Sequence, residues 1–126
     1  MKRLVWVLPE TVVALHEQLL AAFGGSVGVR DAGLLLSAMA RPQHLLAYGT
    51  PTVFALAACY AFGLVKNHPF VDGNKRTGII ASLVFLDLNG AEIDAPKGSL
   101  YDLTMSVANG RAGKKEVAEF FRKAAH

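Results

Sequence analysis

The 126-residue sequence predicts an all-α fold, a compact bundle of about six helices, on three observations. Apolar residues recur three and four apart over segments of helical length. Capping residues, glycines and prolines bound those segments. Two of them, Val53 to Asn67 and Asn74 to Leu88, are apolar almost all round, as helices at the centre of a bundle are. The length fits one domain, residues 1–126, able to bury a real core without disulfide or metal.

The elements follow in order. A short extended piece is expected around Leu4 to Leu8. Pro9 suits a first helical position, Val12, Leu15, Leu19, Leu20 and Phe23 give the first helix its inner face, and Gly24 and Gly25 stop it. Asp31 caps a second helix, expected to end before Pro42 because a residue preceding proline is pushed out of the helical region. Thr52 caps the third, running to about Asn67 and carrying Phe54, Leu56, Tyr60, Phe62 and Leu64. The fourth, with Ile79, Ile80, Leu83, Val84, Phe85 and Leu86, is closed by Asn89 and Gly90. Two more lie near Ser99 to Ala108 and Lys114 to Ala124, the last with Val117, Phe120, Phe121 and Ala124 inward.

Composition removes several function classes. Apolar residues make up 52% of the chain, too many for a disordered polymer. The start, MKRLVWVLPE, pairs two basic residues with an apolar run, but Pro9 and Glu10 cut that run below the length of a signal-peptide core. The longest later apolar stretch, Val53 to Val65, falls short of the roughly 18–20 residues that span a bilayer. A soluble, unexported, cytoplasmic protein without a membrane partner is expected. Cys59, the single cysteine, sits in LAACYAF as a small buried hydrophobe, which suits a reducing compartment. The net charge is +3, but its cations are dispersed apart from one motif and the set Lys114, Lys115, Arg122 and Lys123, the solvated face of a helix. No direct nucleic-acid partner is expected.

That motif, HPFVDGNKRTG from His68 to Gly78, carries the chemistry. His68 ends one central helix, Pro69 to Gly73 form a five-residue turn, and Asn74 opens the next helix. A helix N-terminus presents unpaired N–H groups and the positive dipole end, a ready anion site. Lys75 and Arg76 in the first turn oppose that dipole, which makes sense if an anion is to arrive. Gly73 allows a tight turn and close ligand approach, and Asn74 is expected to cap the helix while presenting its amide outward. Arg76 supplies a planar fork for phosphate and Lys75 a point charge. Asp72 is a hard ligand for Mg²⁺, and His68 is the natural base for a hydroxyl proton. The set describes a nucleotide-phosphate transferase without a Walker A loop, since no glycine stands at the required spacing before Lys75.

HPFVDGNKR also resembles the motif of the Fic/Doc superfamily, written HPF, any residue, Asp or Glu, Gly-Asn, Gly or Lys, Arg, and matches it at all nine positions. GVRDAGLLLSAMARP, Gly28 to Pro42, is similar to the upstream segment of the death-on-curing (Doc) toxin branch. The resemblance implies a Fic-like helical fold, with His68, Asp72, Lys75 and Arg76 catalytic, Phe70, Gly73, Asn74, Lys75 and Arg76 around the nucleotide, Asp72 on the metal, and ATP and Mg²⁺ as cofactors. Nucleotidyl-transferring members commonly have glycine at Lys75 and a second arginine at Ile79. This chain's residues therefore favour the Doc branch, in which ATP binds reversed and its γ-phosphoryl group goes to a threonine of elongation factor Tu, stopping translation. AMP or UMP transfer is the alternative, and a non-enzymatic phosphate-binding domain a third.

Regulation is expected in trans. The inhibitory helix of many Fic proteins has Ser or Thr four residues before a Glu, and none of Glu10, Glu17, Glu92, Glu116 or Glu119 follows one. The resemblance implies an antitoxin whose disordered C-terminal segment folds into a groove. Leu36 stands where relatives often have Glu. His16, His44 (after a Pro turn) and His126 lack a second ligand at metal spacing and are expected to be structural or exposed. Thr77 and Ser82 are expected as small packing residues, and Thr52 as only a cap.

Overall fold

Alternating capped, apolar-faced segments fold as expected into an all-α domain. The computed structural model describes residues 3–126, and among these the chain forms six helices: α1 (Pro9–Phe23), α2 (Ala32–Ala47), α3 (Val53–Asn67), α4 (Asn74–Leu88), α5 (Ser99–Ala108) and α6 (Lys114–Ala124). Lys2, one of the two basic residues in the signal-like start, lies outside the described residues. No helix among the described residues is long and apolar enough to cross a membrane.

The caps are those the residue types allow. Asp31 accepts from the Leu34 N–H at 3.0 Å to open α2, and Thr52 accepts from the Ala55 N–H at 3.1 Å to open α3. One boundary is corrected: α2 does not stop before Pro42 but runs through it to Ala47, which also puts His44 in the exposed last turn of α2 rather than after a turn. Proline in a helix interior loses a hydrogen bond and crowds the preceding turn. Pro42 is buried here, so packing of its ring against the core offsets that cost. Leu36 faces solvent on the same helix.

Helix α3 is the hub. It packs on α2, α4, α5 and α6, and Leu56 through Ala61 and Gly63 through Val65 are buried. Cys59 lies within this run, where burial pushes its thiol pKa up. Helix α4 lies closest to α3, because a Cβ on Gly78 would stand 2.9 Å from a Val65 methyl and 3.2 Å from the Ala61 carbonyl. Thr77 and Ser82, expected as packing residues, are fully buried on α4.

The described segments before α1 and after α6 are tied to the rest of the fold. The expected extended piece is present, with Leu8 at φ −88° and ψ 155°. Asn89, at the end of α4, accepts from the Val5 N–H at 2.9 Å and donates to its carbonyl at 2.8 Å, as a neighbouring strand would. Val7 N–H donates to the Tyr60 hydroxyl at 3.1 Å, and burial pushes the Tyr60 pKa up to about 12. Trp6 stacks on Phe85 at 5.9 Å, and Phe85 meets Tyr60 at 5.1 Å. At the other end Ala125 bridges Ile93, and His126 N–H donates to the Glu92 carbonyl at 3.0 Å.

Candidate active site

The loop between α3 and α4 is held on both flanks. His68 caps α3 in the left-handed region, φ 50° and ψ 55°, and is the one non-glycine residue with positive φ among the described residues. Side chains seldom accept that conformation, and here Arg30 holds it: Nε donates to the His68 carbonyl at 2.7 Å and Nη2 to the Asn67 carbonyl at 3.0 Å. The backbone before α2 is laced to the same loop. Val29 bridges Phe70, Arg30 and Asp31 N–H both donate to the Pro69 carbonyl, and Val71 N–H donates to the Gly28 carbonyl at 3.0 Å.

Asn74 performs a different task from the one expected. Its amide is buried rather than outward: Oδ1 accepts from the Phe70 N–H at 2.9 Å and Nδ2 donates to the Phe70 carbonyl at 3.0 Å. It thus pins the turn, and Gly73 at φ 78° takes the N-cap position of α4. No side chain caps that helix, so its first N–H groups remain available to a ligand.

Around this terminus opens a cleft of about 660 Å³, within the range that takes a nucleotide-sized ligand. His68, Asp72, Gly73, Asn74, Lys75, Arg76 and Ile79 line it from the loop and α4, and Leu100, Tyr101, Thr104 and Met105 line it from α5. Six of the seven residues expected at the site are therefore brought together. Phe70 is not, because its ring is fully buried beneath the loop, stacked on His16.

Charge in the cleft is arranged for an anion beside one carboxylate. Neither Lys75 nor Arg76 is held in an ion pair among the described residues. The Arg76 guanidinium rests 4.1 Å from the centroid of the Phe23 ring, a cation–π contact. Phe23, expected on the inner face of α1, instead lies exposed at the end of that helix, where it meets Arg76. Asp72 is exposed, and its carboxyl is held below the usual range by the Ser26 N–H at 3.2 Å and then by the Gly73 N–H at 2.9 Å, with the charges of His16 and Lys75 adding less. Sequence reasoning passed over Arg30 as a functional residue and assigned His16 no task at the site. His16 is indeed structural and buried, but it lies under the loop rather than merely in the core.

The profile of the Fic/DOC family matches residues 6–86. Over 117 residues the chain is 35% identical to "Protein kinase doc" of Escherichia phage P1, covering 91% of each chain. Over 77 residues it is 47% identical to "Toxin Doc" of Mycolicibacterium smegmatis, covering 59% of this chain and 58% of that one.

Proposed function

The chain belongs to the Fic/DOC family, and from that premise we propose that it is a toxin that transfers the γ-phosphoryl group of ATP to a protein hydroxyl, most simply a threonine of elongation factor Tu. The two relatives named as a toxin and as a protein kinase support the reading. One observation carries it: His68, Asp72, Lys75 and Arg76 line a single cleft at an uncapped helix N-terminus, with apolar Ile79 where nucleotidyl-transferring members place an arginine.

The residues fit ATP and Mg²⁺. A lone exposed carboxylate is the donor Mg²⁺ takes when phosphate oxygens complete its shell, and among the described residues no cluster of three or more metal-ligating side chains competes with it. Each Asp72 oxygen accepts one backbone N–H, which aims the carboxylate and leaves lone pairs for a cation. Asp72 would hold Mg²⁺, which would supply charge neutralisation to the phosphates. Lys75, Arg76 and the α4 N–H groups grip the phosphates. His68 takes the hydroxyl proton as that oxygen bonds to the γ-phosphorus, and the bond from phosphorus to the bridging oxygen breaks to leave ADP. Inhibition comes in trans from an antitoxin, and the reaction belongs to the cytoplasm, where ATP and the elongation factor are.

The test is a transfer assay with Mg²⁺ and elongation factor Tu, run in parallel with γ-labelled and α-labelled ATP and with His68→Ala as control. Label from γ-ATP alone, lost in the variant, is expected. Label from α-ATP would instead establish nucleotidyl transfer.

A further inference from the structure

The mechanism above leaves the buried imidazole of His16 without a task. His16 sits in the inward stripe of α1 between Val12 and Leu20, and is 2% exposed. Burying an imidazole in such a stripe is costly unless its polar atoms are paired, and an aliphatic side chain would fill the space at no such cost. Its Nε2 lies 2.8 Å from the Asp72 carbonyl, 56 residues away in sequence. A carbonyl only accepts, so Nε2 carries the hydrogen. The ring lies flat on Phe70, with centroids 3.8 Å apart and planes within 9°, and a Cβ on Gly73 would stand 3.6 Å from Nε2. The imidazole is therefore a floor beneath the Asp72–Gly73 peptide.

We propose that His16 is a positioning residue for Asp72: from α1 it anchors the peptide that aims the Asp72 carboxylate at the metal position. This rests on the reading of Asp72 as the metal-holding group. Asp72 is exposed, and both donors to its carboxylate are backbone N–H groups, of Ser26 and Gly73. Those two bonds orient the carboxylate only while the peptide itself is fixed. The bond from His16 comes from the packed core, and the stack on Phe70 denies the ring rotation. The same Phe70 is held by Asn74 through both of its backbone polar groups, so the floor and the loop form one unit. Outer groups that orient a metal ligand typically change metal affinity by about 10–100-fold when lost.

The experiment uses the full chain, ADP and Mn²⁺ as probes, and two variants. His16→Phe keeps the ring stack and removes the donor, while His16→Gln returns an amide N–H near the Nε2 position. In H16F, affinity for ADP alone is expected within about twofold of wild type, because Lys75 and Arg76 are untouched, while Mn²⁺ affinity in the presence of ADP falls about tenfold. Hydrogen exchange at the Ser26 and Gly73 amides quickens, and H16Q restores both properties to within about threefold. Should H16F fail to fold, His16→Asn, whose amide falls short of Asp72, takes its place. A folded H16F with wild-type Mn²⁺ affinity and unchanged Ser26 and Gly73 exchange overturns the proposal, and so does H16Q failing as H16F does, which would assign the ring to packing alone. If the wild-type chain binds no Mn²⁺ with ADP, the metal reading of Asp72 falls, and the exchange arm alone decides whether His16 positions the loop.

Discussion

A carboxylate in water titrates near pH 3.9, and exposure alone would leave Asp72 there. The Ser26 and Gly73 N–H groups stabilise its charged form and lower its folded-state pKa, so Asp72 contributes stability that is whole above the unfolded value and is lost as pH falls through the lowered folded one. A carbon-detected titration should put the Asp72 midpoint below about 3.9. The stability difference between wild type and Asp72→Asn should stay flat from neutral pH down to about pH 5 and shrink below about pH 4. A midpoint at or above the ordinary value would show that the two N–H contacts are not made in solution. Arg30 acts by the same logic at the end of α3, where a cation meets the negative dipole end and donates to two carbonyls. Arg30→Ala should lower unfolding stability by about 1–2 kcal/mol in urea melts, since both bonds are charge-assisted but solvent-exposed. It should also slow transfer by releasing His68 from its left-handed conformation. These two arginine bonds, like the one from His16, join residues more than 30 positions apart. Local patterning carries no trace of such pairs, which is why the motif's own residues were legible and their supports were not.

Helices α3 and α4 form the rigid frame of the loop, and their closeness depends on a missing side chain. At Gly78 an added methyl would meet a Val65 methyl at 2.9 Å and the Ala61 carbonyl at 3.2 Å, and neither can swing away, since one belongs to a β-branched residue and the other is backbone. Gly78→Ala gains helix propensity, yet overpacking should dominate and cost about 1–3 kcal/mol, read from the midpoint of a urea transition at constant slope. A gain in stability would mean that the two helices can part at little cost. The bounds of both helices were legible because each has a strong signal at each end: Thr52 and the HPF turn for α3, the Gly-Asn pair and the Asn89–Gly90 stop for α4. The end of α2 was not, because a proline rule drawn from local sterics yields when the ring is buried by tertiary packing.

At the scale of the whole molecule, α3 is the element whose loss would unseat α2, α4, α5 and α6 together. Its buried amides, from Leu56 to Val65, should therefore exchange only through global unfolding, whereas the exposed segment from Gly24 to Arg30 should exchange through local opening. Protection in α3 well below the global unfolding free energy would argue for separable subdomains. The all-α class and an anion site at the start of α4 could be anticipated from helical periodicity and one motif, while the wall given by α5 depended on how the later helices return to the site. The extended piece before α1, a strap held on the end of α4 by Asn89 and Phe85, has a practical consequence of its own. The sequence holds one tryptophan, Trp6, and it stacks on Phe85 in the strap rather than lining the cleft. The intrinsic fluorescence of the protein is thus a gauge of whether residues 4–8 are seated on α4. Nucleotide titrations should leave that emission nearly unchanged, and a red shift in a variant that keeps its full helical signal would signal a detached strap.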